Sequence, residues 1–210
     1  MRTYRIILLL FLITLNSFYS EAQNDSKALS EMAKKMFEST NDRDFDTLLD
    51  MTYPKVYEIV PKETMKTMFV SMFEGTDEMS IDLPKLTPEY ELSDMFSDEE
   101  TNTDYAFLTY DMSMSMTFKK EGFDEEGQGM MIKMFKVQGM DAEFETDKKV
   151  NIKAPNRMVI FLKNETSGGK WTMINYDTNS PIFYQILSSN VLETSKSYYE
   201  NIMIEAKKKN

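Results

Sequence analysis

The sequence contains no cysteine and no histidine, a single tryptophan, and only seven glycines and six prolines in 210 residues. Without cysteine, disulfide staples, thiol chemistry and a lipid anchor on a processed N-terminus are excluded. Without histidine, imidazole acid–base pairs and the usual zinc ligand sets are excluded as well. Basic charge is also scarce: 24 Lys and Arg stand against 35 Asp and Glu, for a net −11. Phosphate binding needs a concentrated basic face, so the balance argues against nucleic acid as a partner. The cluster Lys207-Lys208-Lys209 is read as a solvated tail that suits the negative end of a preceding helix. There is no G-x-x-x-x-G-K phosphate loop, and the acidic run Ser97 to Glu100 lacks the spaced ligands and glycine of a calcium loop. No cofactor is implied.

Long apolar runs are missing too. The one candidate, Ile6 to Leu15, has about ten residues where spanning a bilayer takes ~20. It follows Arg2 and Arg5 and precedes Ser20-Glu21-Ala22, which reads as a cleavable signal peptide over residues 1–22 with cleavage before Gln23. The expectation is an exported chain, periplasmic or secreted, with no stable membrane anchor. Removing a leader of net charge +1 would take −11 to −12. The remainder, residues 23–210, has the length of one ordinary domain.

What is present is clear periodicity. Leu29, Met32, Ala33, Met36 and Phe37 recur at helical spacing and predict a helix over Asp25 to Thr40. Asp44 is placed to cap a short helix carrying Phe45, Leu48 and Leu49, ended by Pro54. After Pro61, the residues Met65, Met68, Phe69, Met72 and Phe73 predict a third helix, stopped at Gly75. The period then changes to two. Met79, Ile81 and Leu83 alternate, and Tyr105 to Phe118 predicts a long half-buried strand with Leu108, Tyr110, Met112, Met114, Met116 and Phe118 on one face. Glu89 to Asp104 reads as an exposed loop with a mobile tip and one short strand near Tyr90 to Leu92. Asp124 to Val137 fits a helix with the stripe Met130, Met131, Met134, Phe135 and Val137, stopped at Gly139. Ala142 to Thr146, Lys149 to Lys153, Arg157 to Leu162 and Lys170 to Tyr176 predict an antiparallel meander with turns at Asp147-Lys148, Pro155-Asn156 and Ser167-Gly168-Gly169. Pro181 opens a final amphipathic segment, one helix or two broken near Ser188-Ser189-Asn190.

Three helices followed by an antiparallel sheet is an order that resembles the nuclear transport factor 2-like superfamily, the cystatin-like cone. The segment from Leu29 through Asp42-Arg43-Asp44-Phe45-Asp46 to Tyr53-Pro54-Lys55-Val56-Tyr57-Glu58 resembles the opening of its small exported bacterial members, and Gly169-Lys170-Trp171-Thr172-Met173-Ile174 resembles their closing strand. The resemblance implies an α+β fold in which N-terminal helices pack in a curved antiparallel sheet, here with a C-terminal helical extension. It also implies a cone whose open end takes a small apolar molecule, performs proton transfer or meets a partner chain. The fold alone does not choose among these.

The residues narrow the choice. Proton transfer requires a carboxylate desolvated enough to titrate near neutrality, and the candidates Asp82, Asp111 and Glu143 all fall on the polar side of predicted strands. A lyase or isomerase of the ketosteroid isomerase type is therefore the second reading, with no catalytic residue assigned. Met112, Met114 and Met116 would align three thioethers on one strand face, a soft donor set for Cu(I). Nineteen methionines spread over helices and strands alike make core filling the simpler account. Tyr105, Tyr110, Tyr176, Tyr184, Tyr198, Tyr199 and Trp171 offer apolar bodies with polar handles, suited to core, pocket or dimer interface. The first reading is thus a non-catalytic exported protein that binds a small apolar ligand or a protein partner, a homodimer included. Its expected ligand-binding residues are Tyr110, Met112, Met114, Met116, Trp171 and Tyr176.

Overall fold

A computed structural model of the chain describes residues 24–178 and 180–209. The expected leader, residues 1–22, lies outside the described residues. Helix α1 covers 24–42 and buries the expected face, Leu29, Met32, Ala33, Met36 and Phe37. The chain turns through Arg43, at φ 60°, into α2 (Phe45–Met51). Asp44 caps α2, its Oδ1 accepting the Thr47 N–H at 3.1 Å. A 3₁₀ turn at Pro54–Glu58 leads to α3 (Lys62–Glu74), which begins directly after Pro61. Gly75 ends α3 at φ 81°, where an added Cβ would lie 2.9 Å from the Met79 carbonyl oxygen.

The α+β architecture expected from the periodicity is present: six α-helices and one antiparallel sheet of seven strands among the described residues. Strands β4 (Thr103–Phe118) and β6 (Lys149–Lys163) form its central ribbon. On the β4 edge lie β1 (Met79–Asp82), β2 (Tyr90–Leu92) and β3 (Phe96–Asp98). On the β6 edge lie β5 (Asp141–Thr146) and β7 (Thr172–Asn175). One parallel bridge, Thr52 to Met173, fastens the end of α2 to β7.

Two of these features correct the sequence reading. Pro155-Asn156 does not end a strand: Tyr110 pairs with Arg157 and Met112 with Ala154, so two residues of β6 face Asp111 alone. This is a β-bulge, and its chemistry explains the misleading turn signal. Proline brings no N–H to the ladder, asparagine tolerates φ 54°, and the Asp111 carboxylate accepts the Asn156 N–H at 2.8 Å. The Glu89 to Asp104 segment carries the short strand expected at Tyr90 to Leu92, which is β2, but the rest of it is likewise no free loop. β2 and β3 zip it onto β4, and Asp98 is buried. Its carboxylate accepts from Ser188 Oγ at 2.6 Å, Thr101 Oγ1 at 2.6 Å, Asn190 Nδ2 at 3.0 Å and the Glu100 N–H at 3.2 Å. Those donors hold its pKa down at about 2, the Ser188 and Thr101 hydroxyls contributing most.

The bulge divides the ribbon into two halves. From Thr103 to Tyr110 and from Arg157 to Lys163 both faces are covered. Ala106, Leu108, Val159 and Phe161 pack on α1, while Tyr105, Phe107, Met158, Ile160 and Leu162 face the C-terminal helices α5 (Phe183–Ile186) and α6 (Ser189–Lys209). Tyr198 of α6 stacks on Phe107 with ring centroids 4.6 Å apart. The C-terminal segment is therefore two helices, broken where Leu187 is extended and Ser188 Oγ accepts the Val191 N–H. Beyond the bulge only one face is covered. There α4 (Glu125–Val137) sets Phe135 and Met131 over Val150, Ile152, Met114, Met116 and Phe144. The platform takes one ridge of that helix, so Met130, Met134 and Val137 of the expected stripe are exposed at 63%, 51% and 89%.

Candidate functional site

The cleft of interest opens at the seam between the two halves. Strand β1 pairs β4 only from Ser115 to Phe118, and β2 pairs it only from Leu108 to Tyr110. The β4 edge from Asp111 to Met114 thus has no strand beside it among the described residues. The connector 83–89 crosses the gap, with Pro84 and Pro88 unable to donate to a ladder. Under it is a cleft of about 270 Å³, lined by Met36, Phe37, Thr40 and Asn41 of α1, Phe45 and Leu48 of α2, Phe69 and Phe73 of α3, Leu83 and Leu86 of the connector, Tyr110 to Ser113 of β4, and Met173 and Asn175 of β7. Its volume is just under the ~300 Å³ at which small-molecule pockets begin.

The walls are aromatic and thioether. Phe45 packs on Phe73 at 5.3 Å and on Phe69 at 6.0 Å, and Phe37 meets Tyr110 edge-on at 5.2 Å. Met36, Met112 and Met173 supply adaptable apolar surface. Tyr110 is the polar handle. Burial pushes its phenol pKa up, against a small opposing pull from Arg157, so it stays a neutral donor. Its hydroxyl makes no hydrogen bond to another described residue. Asp111 lies at the rim, exposed, with its carboxylate committed to the bulge.

Of the six residues expected to bind ligand, the structure gathers Tyr110 and Met112. Met114 and Met116 lie further along the same strand, packed beneath α4. Trp171 belongs to another part of the α1 face, where its indole N–H donates to Asp25 Oδ1 at 2.9 Å and Lys163 Nζ lies 5.1 Å from its ring. Tyr176 is buried on the opposite face, stacked on Phe183 at 5.5 Å. Among the other tyrosines, Tyr105 is core and Tyr184 is 79% exposed. The carboxylates Asp82, Asp111 and Glu143 are all exposed, so burial gives none of them the desolvation that acid–base work near neutrality requires.

Periodicity alone hid part of the wall. Phe45 is buried on α2 and Phe69 and Phe73 are half-buried on α3, and a helical stripe that faces a cavity has the same spacing as one that faces a core. The two prolines bounding the connector were the available signal, since they forbid a continuous edge strand over the cleft. A second, broader depression of about 980 Å³ lies between β2 and α6 and meets the cleft at Pro88, Tyr110 and Asp111. It is lined by Tyr90, Tyr198 and Ile202 together with Glu89, Glu91 and Glu205, so its apolar surface is ringed by acidic side chains. Among the described residues no helix is long and apolar enough to cross a membrane, and no three carboxylates are grouped to hold a metal ion. No protein-family model matches the chain, and no curated protein matches it in sequence.

Proposed function

We propose that this chain is an exported, non-catalytic binding protein of the cone-like α+β type, holding a small apolar ligand in the cleft between its N-terminal helices and the bulged ribbon. The observation that carries the reading is the cleft itself: aromatic and thioether walls around one neutral phenol that bonds to no other described residue. Export rests on the leader-like residues 1–22. Tyr110 keeps an isomerase-type reaction as the second reading, since a neutral phenol can donate to a developing oxyanion. That reaction also needs a base, and the rim carboxylate Asp111 is exposed and occupied by the bulge. Native mass spectrometry of the protein purified from its exporting host tests the first reading. A retained small molecule, lost from a Met112→Trp variant that fills the cleft, is the expected result. Ligand-free protein that also fails to take up decanol would end it.

A further inference from the structure

The apolar cleft does not end at the seam. It shares Pro88, Tyr110 and Asp111 with the broader depression between β2 and α6, so an apolar chamber adjoins a wide acidic one. Among the described residues, no lysine or arginine lines either space. Glu89 and Glu91 flank Tyr90 on the edge of the sheet, both exposed, and neither has an ion-pair partner among the described residues. Asp111 adds a third carboxylate where the two spaces meet, its Oδ1 accepting the Asn156 N–H at 2.8 Å. Glu205, across on α6, is paired with Lys208 at 2.6 Å. The nearest other cation, Arg157 of β6, acts on the Tyr110 phenol but lines neither space. On the α6 side, burial first and then the charges of Glu91 and Asp94 push the Tyr198 phenol pKa up, so the negative charge of Glu91 bears on the aromatic wall of the depression.

We infer, resting on the cleft reading above, that the ligand is a cationic amphiphile whose apolar body lies in the cleft and whose ammonium head lies in the depression, beside Glu89, Glu91 and Asp111. The apolar body is desolvated by the aromatic and thioether walls, which is where its binding energy comes from. A positive head gains from the two unpaired carboxylates. In so wide an opening it keeps much of its water, and so avoids the desolvation cost that a closed site would impose. A carboxylate head meets the same groups as repulsion, in a chain of net charge −11. A neutral head is neither drawn nor repelled.

Calorimetric titration of residues 23–210 with decylamine, an ammonium ion at pH 7, and with decanol and decanoate separates the possibilities. Decylamine should bind about fivefold more tightly than decanol, the equivalent of two exposed ion pairs, with decanoate weakest. The gap between decylamine and decanol should narrow in about 0.5 M salt, since the carboxylates are exposed. Glu89→Gln with Glu91→Gln should remove most of that gap. Glu125→Gln with Glu126→Gln, the same change of charge on α4, should leave it in place. Equal affinities of decylamine and decanol for the wild type, or an equal loss in the two double variants, would overturn the cationic head and leave the apolar cleft standing. Binding of none of the three would remove the cleft reading, and this inference with it.

Discussion

One pair of strands, β4 and β6, passes through two environments, and the difference shows how one ribbon supplies both stability and a site. On one side of the bulge, Met158 to Leu162 are buried without a break, because α1 covers one face and α6 the other. On the other side, Val150, Ile152 and Ala154 alternate with exposed Asn151 and Lys153, because only α4 is there to cover them. The cleft lies where the first regime gives way to the second. Helices α1 to α3 overhang a stretch of β4 that has lost its edge partner, and the space between is not filled by side chains.

The contrast is tested most strongly by truncating one side chain in each half. Phe107→Ala, fully buried beneath Tyr198, should cost about 3–5 kcal/mol in urea unfolding. Met116→Ala, half-buried under α4, should cost about 1–2 kcal/mol. Equal costs would mean that the two halves are not differently packed.

Asp98 is the polar lock of the covered half, tying the β3–β4 turn to the start of α6. Asp98→Asn should lose about 2 kcal/mol, since it weakens charge-assisted bonds to Ser188, Thr101 and Asn190. Its pKa is lowered from 3.8 to about 2, so its contribution is complete above pH 3.8 and is lost as pH falls through about 2. The stability gap between wild type and Asp98→Asn should therefore narrow across that interval. A gap that does not change there would show that the carboxylate charge is not what holds α6.

At the seam, Asp111→Ala removes one hydrogen bond to the bulge and should cost about 1 kcal/mol. The smallest effect is expected on the open half, where Val137→Asp at an 89% exposed position should change stability by less than about 0.5 kcal/mol. A large loss there would mean that α4 is covered in solution.

The two regimes also explain what the sequence made readable. Helix α1, the Asp44 cap, the Gly75 stop and the long strand β4 are set by local spacing and turn chemistry, which one chain displays directly. β6 was harder to read, because Pro155-Asn156 carries the same residues as a turn and only the carboxylate of Asp111, on the neighbouring strand, makes it a bulge. Asp98 looked like part of a solvated acidic run because its partners Ser188 and Asn190 lie some ninety positions away in the chain. As a site it was readable only in Tyr110 and Met112. Its other walls come from α1, α2, α3 and the connector, and the helical stripes among them have the same spacing whether they line a cavity or fill a core.

The central claim is that the seam cleft, and not the methionine row further along β4, takes the ligand. Methionine methyl NMR of residues 23–210 during titration with decanol tests it directly, since the eighteen methionines other than Met1 are spread over its helices and strands. The account predicts shifts at Met36, Met112 and Met173, with Met114 and Met116 unmoved. Shifts confined to Met114 and Met116, or none at the three cleft methyls under saturating decanol, would contradict it.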